Sequence, residues 1–271
     1  HRLQWRSLWI AEEQAQFADG NFTGLSTEEQ FIHELSYAGE NRRGINPYTF
    51  RTALEQQNYT DISGDQHYLK LSLEWNQSFT YKEKKNIDIR FFAGGFLLNT
   101  KRQGGRLFPG AFNLISQGFN DYRYDDLYFG RTENEGLWSQ QISLRDGAFK
   151  TPLGSGFQLG RSNNFILALN FKADLPQDLT FPLPIKPFFD IGYFDNAQPT
   201  GQDDSLQDQL LWSGGLALDF LDGAFGIYFP FFHSRNLQNR LEERGNYWTR
   251  VSFNIDFQRL NPFEVIREIS F

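Results

Sequence analysis

Leu69-Lys70-Leu71-Ser72-Leu73-Glu74-Trp75-Asn76 alternates a large apolar side chain with a polar one at every step. Side chains of an extended chain leave on opposite faces with a period of two. Leu69, Leu71, Leu73 and Trp75 therefore share one face, and Lys70, Ser72, Glu74 and Asn76 the other. The run from Trp248 to Leu260 repeats the pattern, with Val251, Phe253, Ile255 and Phe257 set against Arg250, Ser252, Asn254, Asp256 and Gln258. In a soluble sandwich the apolar face would be the core. In a membrane barrel it would meet lipid, and the polar face would line the lumen.

Period-two segments recur near 3–11, 29–39, 47–57, 67–80, 87–100, 123–131, 136–146, 163–175, 185–195, 209–221, 224–233 and 247–260, about twelve strands by this criterion. Most are longer than the roughly five to six residues of a globular strand and match the roughly nine to eleven of a tilted membrane strand. The connections alternate in length. Long ones at 16–27, 101–122, 149–162, 196–208 and 234–246, with 58–66, take turns nearly throughout with short ones at 40–46, 82–86, 132–135 and 222–223 and a medium one at 176–184. Extended extracellular loops facing tight periplasmic turns produce that rhythm; a Greek-key sandwich does not. The expectation is an all-β chain, residues 1–271 forming one transmembrane antiparallel up-and-down β-barrel of about twelve strands. An even strand number puts both termini on the periplasmic side. Leu221-Asp222-Gly223-Ala224 reads as a tight hairpin on that side, since Asp-Gly supplies positive φ.

Composition agrees and excludes alternatives. Aromatic residues make up 17% of the 271, with 29 phenylalanines, which favours strands. Mean hydropathy is -0.54, and no run approaches the roughly 18 apolar residues of a spanning helix. A barrel averages out to such a value because its faces alternate. A net charge of -7 argues against nucleic acid as a partner, because phosphate binding needs a basic footprint. There is no cysteine and no methionine, initiator included, which fits a mature exported chain or a fragment. The tail Val265 to Phe271 ends in an aromatic carboxylate, the form of an outer-membrane assembly signal or of a covering terminal strand.

One short stretch breaks the usual rule for loops. Leu144-Arg145-Asp146-Gly147-Ala148-Phe149 places an arginine, a glycine and a phenylalanine between two alternating segments, where exposed loops carry small polar residues. It reads as a loop folded back into an interior. With Leu127-Tyr128-Phe129-Gly130-Arg131, Pro187-Phe188-Phe189-Asp190-Ile191-Gly192-Tyr193 and Ser213-Gly214-Gly215-Leu216-Ala217-Leu218-Asp219, it resembles the barrel of the BamA/TamA surface-antigen superfamily, the outer-membrane insertases and secretion pores of Gram-negative bacteria. The resemblance spans roughly residues 123–260. It implies a latch in the lumen formed by Arg145, Gly147 and Phe149, with Asp190 as the acid that pairs with the arginine. A buried guanidinium needs such a partner because it cannot lose its proton. The chain departs from the family in three ways. Asp146 and Ala148 interrupt the motif, Asn170 and Lys172 stand where the next strand is expected to carry an acid, and about twelve strands replace sixteen.

Catalytic and metal signatures are missing. His33-Glu34 lacks the second histidine of the zinc-peptidase motif, Tyr37 standing in its place. The four histidines lie far apart in sequence, and neither a nucleophile-base pair nor a cofactor motif is found. Two readings follow for a non-enzymatic chain in the bacterial outer membrane, with lipid and other outer-membrane or periplasmic subunits as partners. One is protein or solute translocation or outer-membrane assembly. The other is the membrane anchor of a larger envelope enzyme, of metallopeptidase or lipase type, or of an outer-membrane complex. A soluble β-sandwich is the third.

Overall fold

The computed structural model describes residues 1–18, 21–61, 64–83, 85–100, 110–153, 159–176, 184–195 and 209–257. The protein is all-β, built on one antiparallel sheet of ten strands. The first five follow in chain order, β1 (Arg2–Ala18), β2 (Asn21–Asn41), β3 (Tyr48–Asp61), β4 (Gly64–Lys82) and β5 (Lys85–Asn99). An insertion then carries four two-residue strands, β6 (Phe112–Asn113), β7 (Ser116–Gln117), β8 (Ile142–Ser143) and β9 (Arg161–Ser162), paired among themselves. The sheet resumes with β10 (Phe165–Ala173), which pairs directly with β5, and continues through β11 (Ile185–Phe194), β12 (Leu210–Phe220), β13 (Phe225–His233) and β14 (Ser252–Ile255). Helix α1 (Arg235–Arg244) joins the last two strands. No helix among the described residues is long and apolar enough to cross a membrane.

The alternation in the opening stretch sorts the two faces as expected. Leu71 is 43% exposed and Leu73 41%, whereas Lys70 between Leu69 and Leu71 is 7% exposed. Val251, Phe253 and Ile255 are half-buried and Phe257 is exposed, while Ser252 and Asn254 are buried. The apolar row thus points away from the sheet's concave side and the polar row into it. The concave side holds the insertion. Phe92, Ile166, Ala168, Phe194 and Leu211 of the sheet pack against Phe112, Leu114, Ile115, Phe149 and Leu153 of the insertion and against Leu237 and Leu241 of α1. The core of this protein therefore lies inside the curl of one sheet, not between two stacked sheets.

Three sequence expectations need correction. The segments 123–131 and 136–146 are not strands of the sheet; they run through turns and a 3-10 helix (Leu137–Gln140) inside the insertion. Removing both leaves ten strands instead of twelve and keeps the number even, so the start of β1 and the end of β14 lie at the same end of the sheet. The expected loops 16–27 and 58–66 are mostly strand, β3 pairing with β4 as far as Asp61 opposite Gly64. β1 pairs with β2 as far as Ala18 opposite Asn21, across a register shift at Gln16 and Phe17, because a two-stranded ladder needs only backbone partners once it projects beyond the core. Finally, 247–260 is strand only over Ser252–Ile255. Tyr247–Arg250 forms a 3-10 turn whose start is capped by the Asn246 side chain accepting from Trp248 N at 3.0 Å, which satisfies a terminal N–H at the turn. The tail from 258 to 271 lies outside the described residues. β1 and β14 are the two edges of the sheet, and no ladder joins them among the described residues.

Candidate functional site

The interior of the curl collects most of the buried charge, and the hook is its centre. Asp146 (φ 46°) and Ala148 (φ 50°) both adopt the left-handed conformation, which non-glycine residues enter at a cost of about 1–2 kcal/mol. Tertiary contacts hold them there. Gly147 N donates to Asn113 O at 2.9 Å, Phe149 N to Leu114 O at 3.0 Å and Asn113 N to the Asp146 carboxylate at 3.1 Å. Asn170 Nδ2 donates to Gly147 O at 2.9 Å, and Arg90 Nη1 to Asp146 O at 2.6 Å.

Glycine at 147 has a steric cause. A Cβ there would stand 2.5 Å from Leu114 Cα and 2.8 Å from Leu114 O, backbone atoms with nowhere to go. Gly147→Ala is expected to destabilise the protein by about 1–3 kcal/mol. Gly24→Ala, whose Cβ meets nothing within 4 Å, should stay within about 0.5 kcal/mol. Urea midpoints in detergent micelles, read by tryptophan fluorescence, check the pair. Gly192 in β11 serves the same fit from the other side, its missing Cβ leaving room for Leu114 Cδ2 and the Phe149 ring.

The expected pairing of Arg145 with Asp190 does not form. Arg145 grips Asp126 through Nε at 2.5 Å and Nη2 at 2.9 Å and reaches Asp125 at 3.4 Å. Asp190, fully buried, is taken by Lys150, whose Nζ lies at 2.6 Å and whose backbone N lies at 3.0 Å. Asn170 Nδ2 adds a third donor at 2.9 Å. The reason is geometric: the two left-handed residues turn the chain between 145 and 150, so the arginine and the lysine leave it in different directions. Asn170, where an acid is expected, is directly opposite both Arg90 and Asp190 in the ladder. Its amide can donate to the hook carbonyl and to the acid at once.

A second network escaped the sequence reading. Glu34 of β2 lies directly opposite Glu55 of β3, and Glu55 opposite Lys70 of β4. Arg123 of the insertion enters between the two acids, with Nη1 2.6 Å from Glu34 and 2.9 Å from Glu55. Tyr68 and Tyr122 each donate to Glu55 at 2.6 Å, Lys70 lies 3.3 Å from it, and Arg51 reaches Glu34 at 2.5 Å. The signal for it was present: Glu34, Glu55 and Lys70 all occupy inward positions of alternating strands.

A scan against protein-family models and a search of curated proteins find no match. The chemistry must therefore be read from the site itself. His33, the residue nearest in type to a metal motif, has its Nδ1 2.9 Å from Ser7 Oγ and its ring stacked on Trp5. Among the described residues no group of three or more histidines and acids is placed to hold a metal ion. The charged groups of Glu34, Glu55, Lys70 and Asp190 are paired with one another or with Arg123 and Lys150 of the insertion. A cavity of about 510 Å³ remains on the short-turn side, lined by Arg2, Gln4 and Arg6 of β1, by Arg123 and Arg145, and by Asn254 near the other sheet edge.

Proposed function

We propose that this chain is an outer-membrane β-barrel whose lumen is filled by its own insertion, and that it works as a membrane anchor. It would hold an envelope enzyme or an outer-membrane complex at the bilayer, with both ends of the sheet toward the periplasm and no catalysis in the chain itself. The observation that carries this reading is the filled interior, where Phe112, Leu114 and Phe149 pack on the inner face of the sheet while Leu71, Leu73, Trp75, Phe91 and Leu167 point outward and stay exposed. A soluble monomer rarely exposes an apolar patch larger than a few hundred Å². An outward face of leucine and aromatic side chains over ten strands supports lipid as the medium.

Translocation or assembly of the BamA/TamA kind is the second reading, favoured by the absence, among the described residues, of a ladder between the edge strands β1 and β14. Planar-bilayer recording separates the two. The anchor reading expects a silent membrane, and a steady open conductance would restore the pore. Flotation with liposomes tests the shared premise. The protein should float with vesicles and need detergent in their absence; a monomer stable in plain buffer would end both readings.

A further inference from the structure

The gap between β1 and β14 is spanned by part of the insertion. On the β1 side, Tyr124 Oη donates to Glu12 at 2.8 Å and Asp125 pairs with Arg6. On the β14 side, Gln141 forms a parallel bridge with Phe253, the Trp138 ring meets the Phe253 ring edge-on at 6.1 Å, and Gln140 Nε2 donates to Trp248 O at 2.9 Å. The same stretch of chain thus touches both edges of the sheet.

Its two sides differ in character. Asp121, Asp125 and Ser139 are buried against the interior. Leu127 is 54%, Phe129 52%, Leu137 61% and Trp138 43% exposed. The outward residues that flank the gap, Leu3 and Trp5 on β1 and Phe257 beyond β14, are likewise large, apolar and exposed.

We propose that residues 127–141 are a piece of the barrel wall itself, closing it between first and last strand and presenting Leu127, Phe129, Leu137 and Trp138 to lipid acyl chains. This rests on the membrane reading above and adds to it a lipid-contacting element that is not a strand. Part of the segment's backbone is satisfied from within the protein, as that position requires. In hydrocarbon every N–H and C=O needs an internal partner, each unsatisfied one costing several kcal/mol, whereas a loop in water needs none. Gln141, 2% exposed, does for this segment what a neighbouring strand would do. Its Oε1 accepts Phe129 N at 2.9 Å and its Nε2 donates to Leu127 O at 2.7 Å. Arg131 fastens the segment to the preceding part of the insertion, donating to the carbonyls of Gly118, Asp121 and Asp126 at 3.3, 3.1 and 2.8 Å. Ser139 Oγ donates to Gly136 O at 2.8 Å and Gln141 N to Trp138 O at 3.2 Å. The polar turn from Thr132 to Glu135 is where the segment returns to water.

The chain has no cysteine, so single-cysteine variants carry one fluorescent label each. Leu137→Cys, Phe129→Cys, Asn134→Cys and the sheet-face control Leu71→Cys would be labelled and reconstituted in phosphatidylcholine vesicles containing acyl-chain nitroxide lipid. Labels at 137 and 129 are expected to lose as much fluorescence to the nitroxide lipid as the label at 71. The label at 134 should be quenched by aqueous iodide instead. If 71 is quenched by lipid while 137 and 129 respond only to iodide, the wall proposal is overturned and the membrane reading stands. If 71 itself escapes lipid quenching, both fall. Leu137, the most exposed of the four, keeps the test decisive should Phe129→Cys fail to fold.

Discussion

Lys150→Met is expected to destabilise the protein by about 3–5 kcal/mol, the usual result of stripping one partner from a buried ion pair. Asp190 is fully buried and Lys150 7% exposed at the side chain, so the carboxylate cannot recover water when the ammonium goes. Two donors would remain, the backbone N of residue 150 and Asn170 Nδ2, without a counter-charge. Against a total stability of about 5–15 kcal/mol for a folded domain that is a large share. Arg145→Met should do far less, within about 1 kcal/mol, because its side chain is 36% exposed and its partner Asp126 22%, the regime in which ion pairs contribute little. Lys150→Met combined with Asp190→Leu should regain much of the loss, since a well-packed apolar pair often replaces a buried ionic one without penalty. Urea midpoints in detergent micelles give the order directly. Equal losses at 145 and 150 would show that the arginine, not the lysine, anchors the hook.

That order reverses what the sequence suggested, and the reason is instructive. The sequence says that Asp190 in an inward position needs a cation and that a cation-bearing hook lies nearby. It does not say which cation arrives, because that depends on Asp146 and Ala148 adopting a left-handed backbone, and neither residue type announces it. The outer strands were legible for the opposite reason. In Leu69 to Asn76 each residue meets one of two media, and period two records this residue by residue. The same logic misled the reading at 123–131. Arg123 and Asp125 face the charged interior while Tyr124, Leu127 and Phe129 are exposed, so a non-strand segment between two media imitates a strand. Counting 123–131 and 136–146 as strands raised the number from ten to twelve. The Glu34, Glu55 and Lys70 row was written in the phase of three strands, but its meaning depended on the arrival of Arg123 from another part of the chain.

Arg123→Met is expected to cost about 3–5 kcal/mol and, on the proposed membrane-anchor reading, to raise the conductance of a planar bilayer that holds the protein. Glu34 and Glu55 are direct cross-strand neighbours, a placement that is unfavourable for like charges. Both are buried, at 6% and 3% exposure, so water cannot screen them. Arg51 compensates Glu34 and Lys70 compensates Glu55, each on one side only. Among the described residues Arg123 alone pairs with both carboxylates, and its Nε also holds Asp125 at 2.9 Å, the acid that Arg6 of β1 also reaches. Its loss therefore leaves two adjacent buried carboxylates with one cation each and no charge bridging them, and removes the ion pairs that tie the insertion to β2 and β3. Arg123→Lys should fall between wild type and Arg123→Met, because one compact ammonium cannot fork between three acids as a planar guanidinium does. Adding Glu34→Gln to Arg123→Met should restore part of the stability, since a single carboxylate then remains with Lys70 and two tyrosine hydroxyls to satisfy it. Single-channel recording and urea midpoints on the four proteins test the chain of reasoning. A destabilised Arg123→Met protein that stays electrically silent would show that the apolar contacts of Phe112, Leu114 and Phe149 hold the insertion in place without the charge bridge.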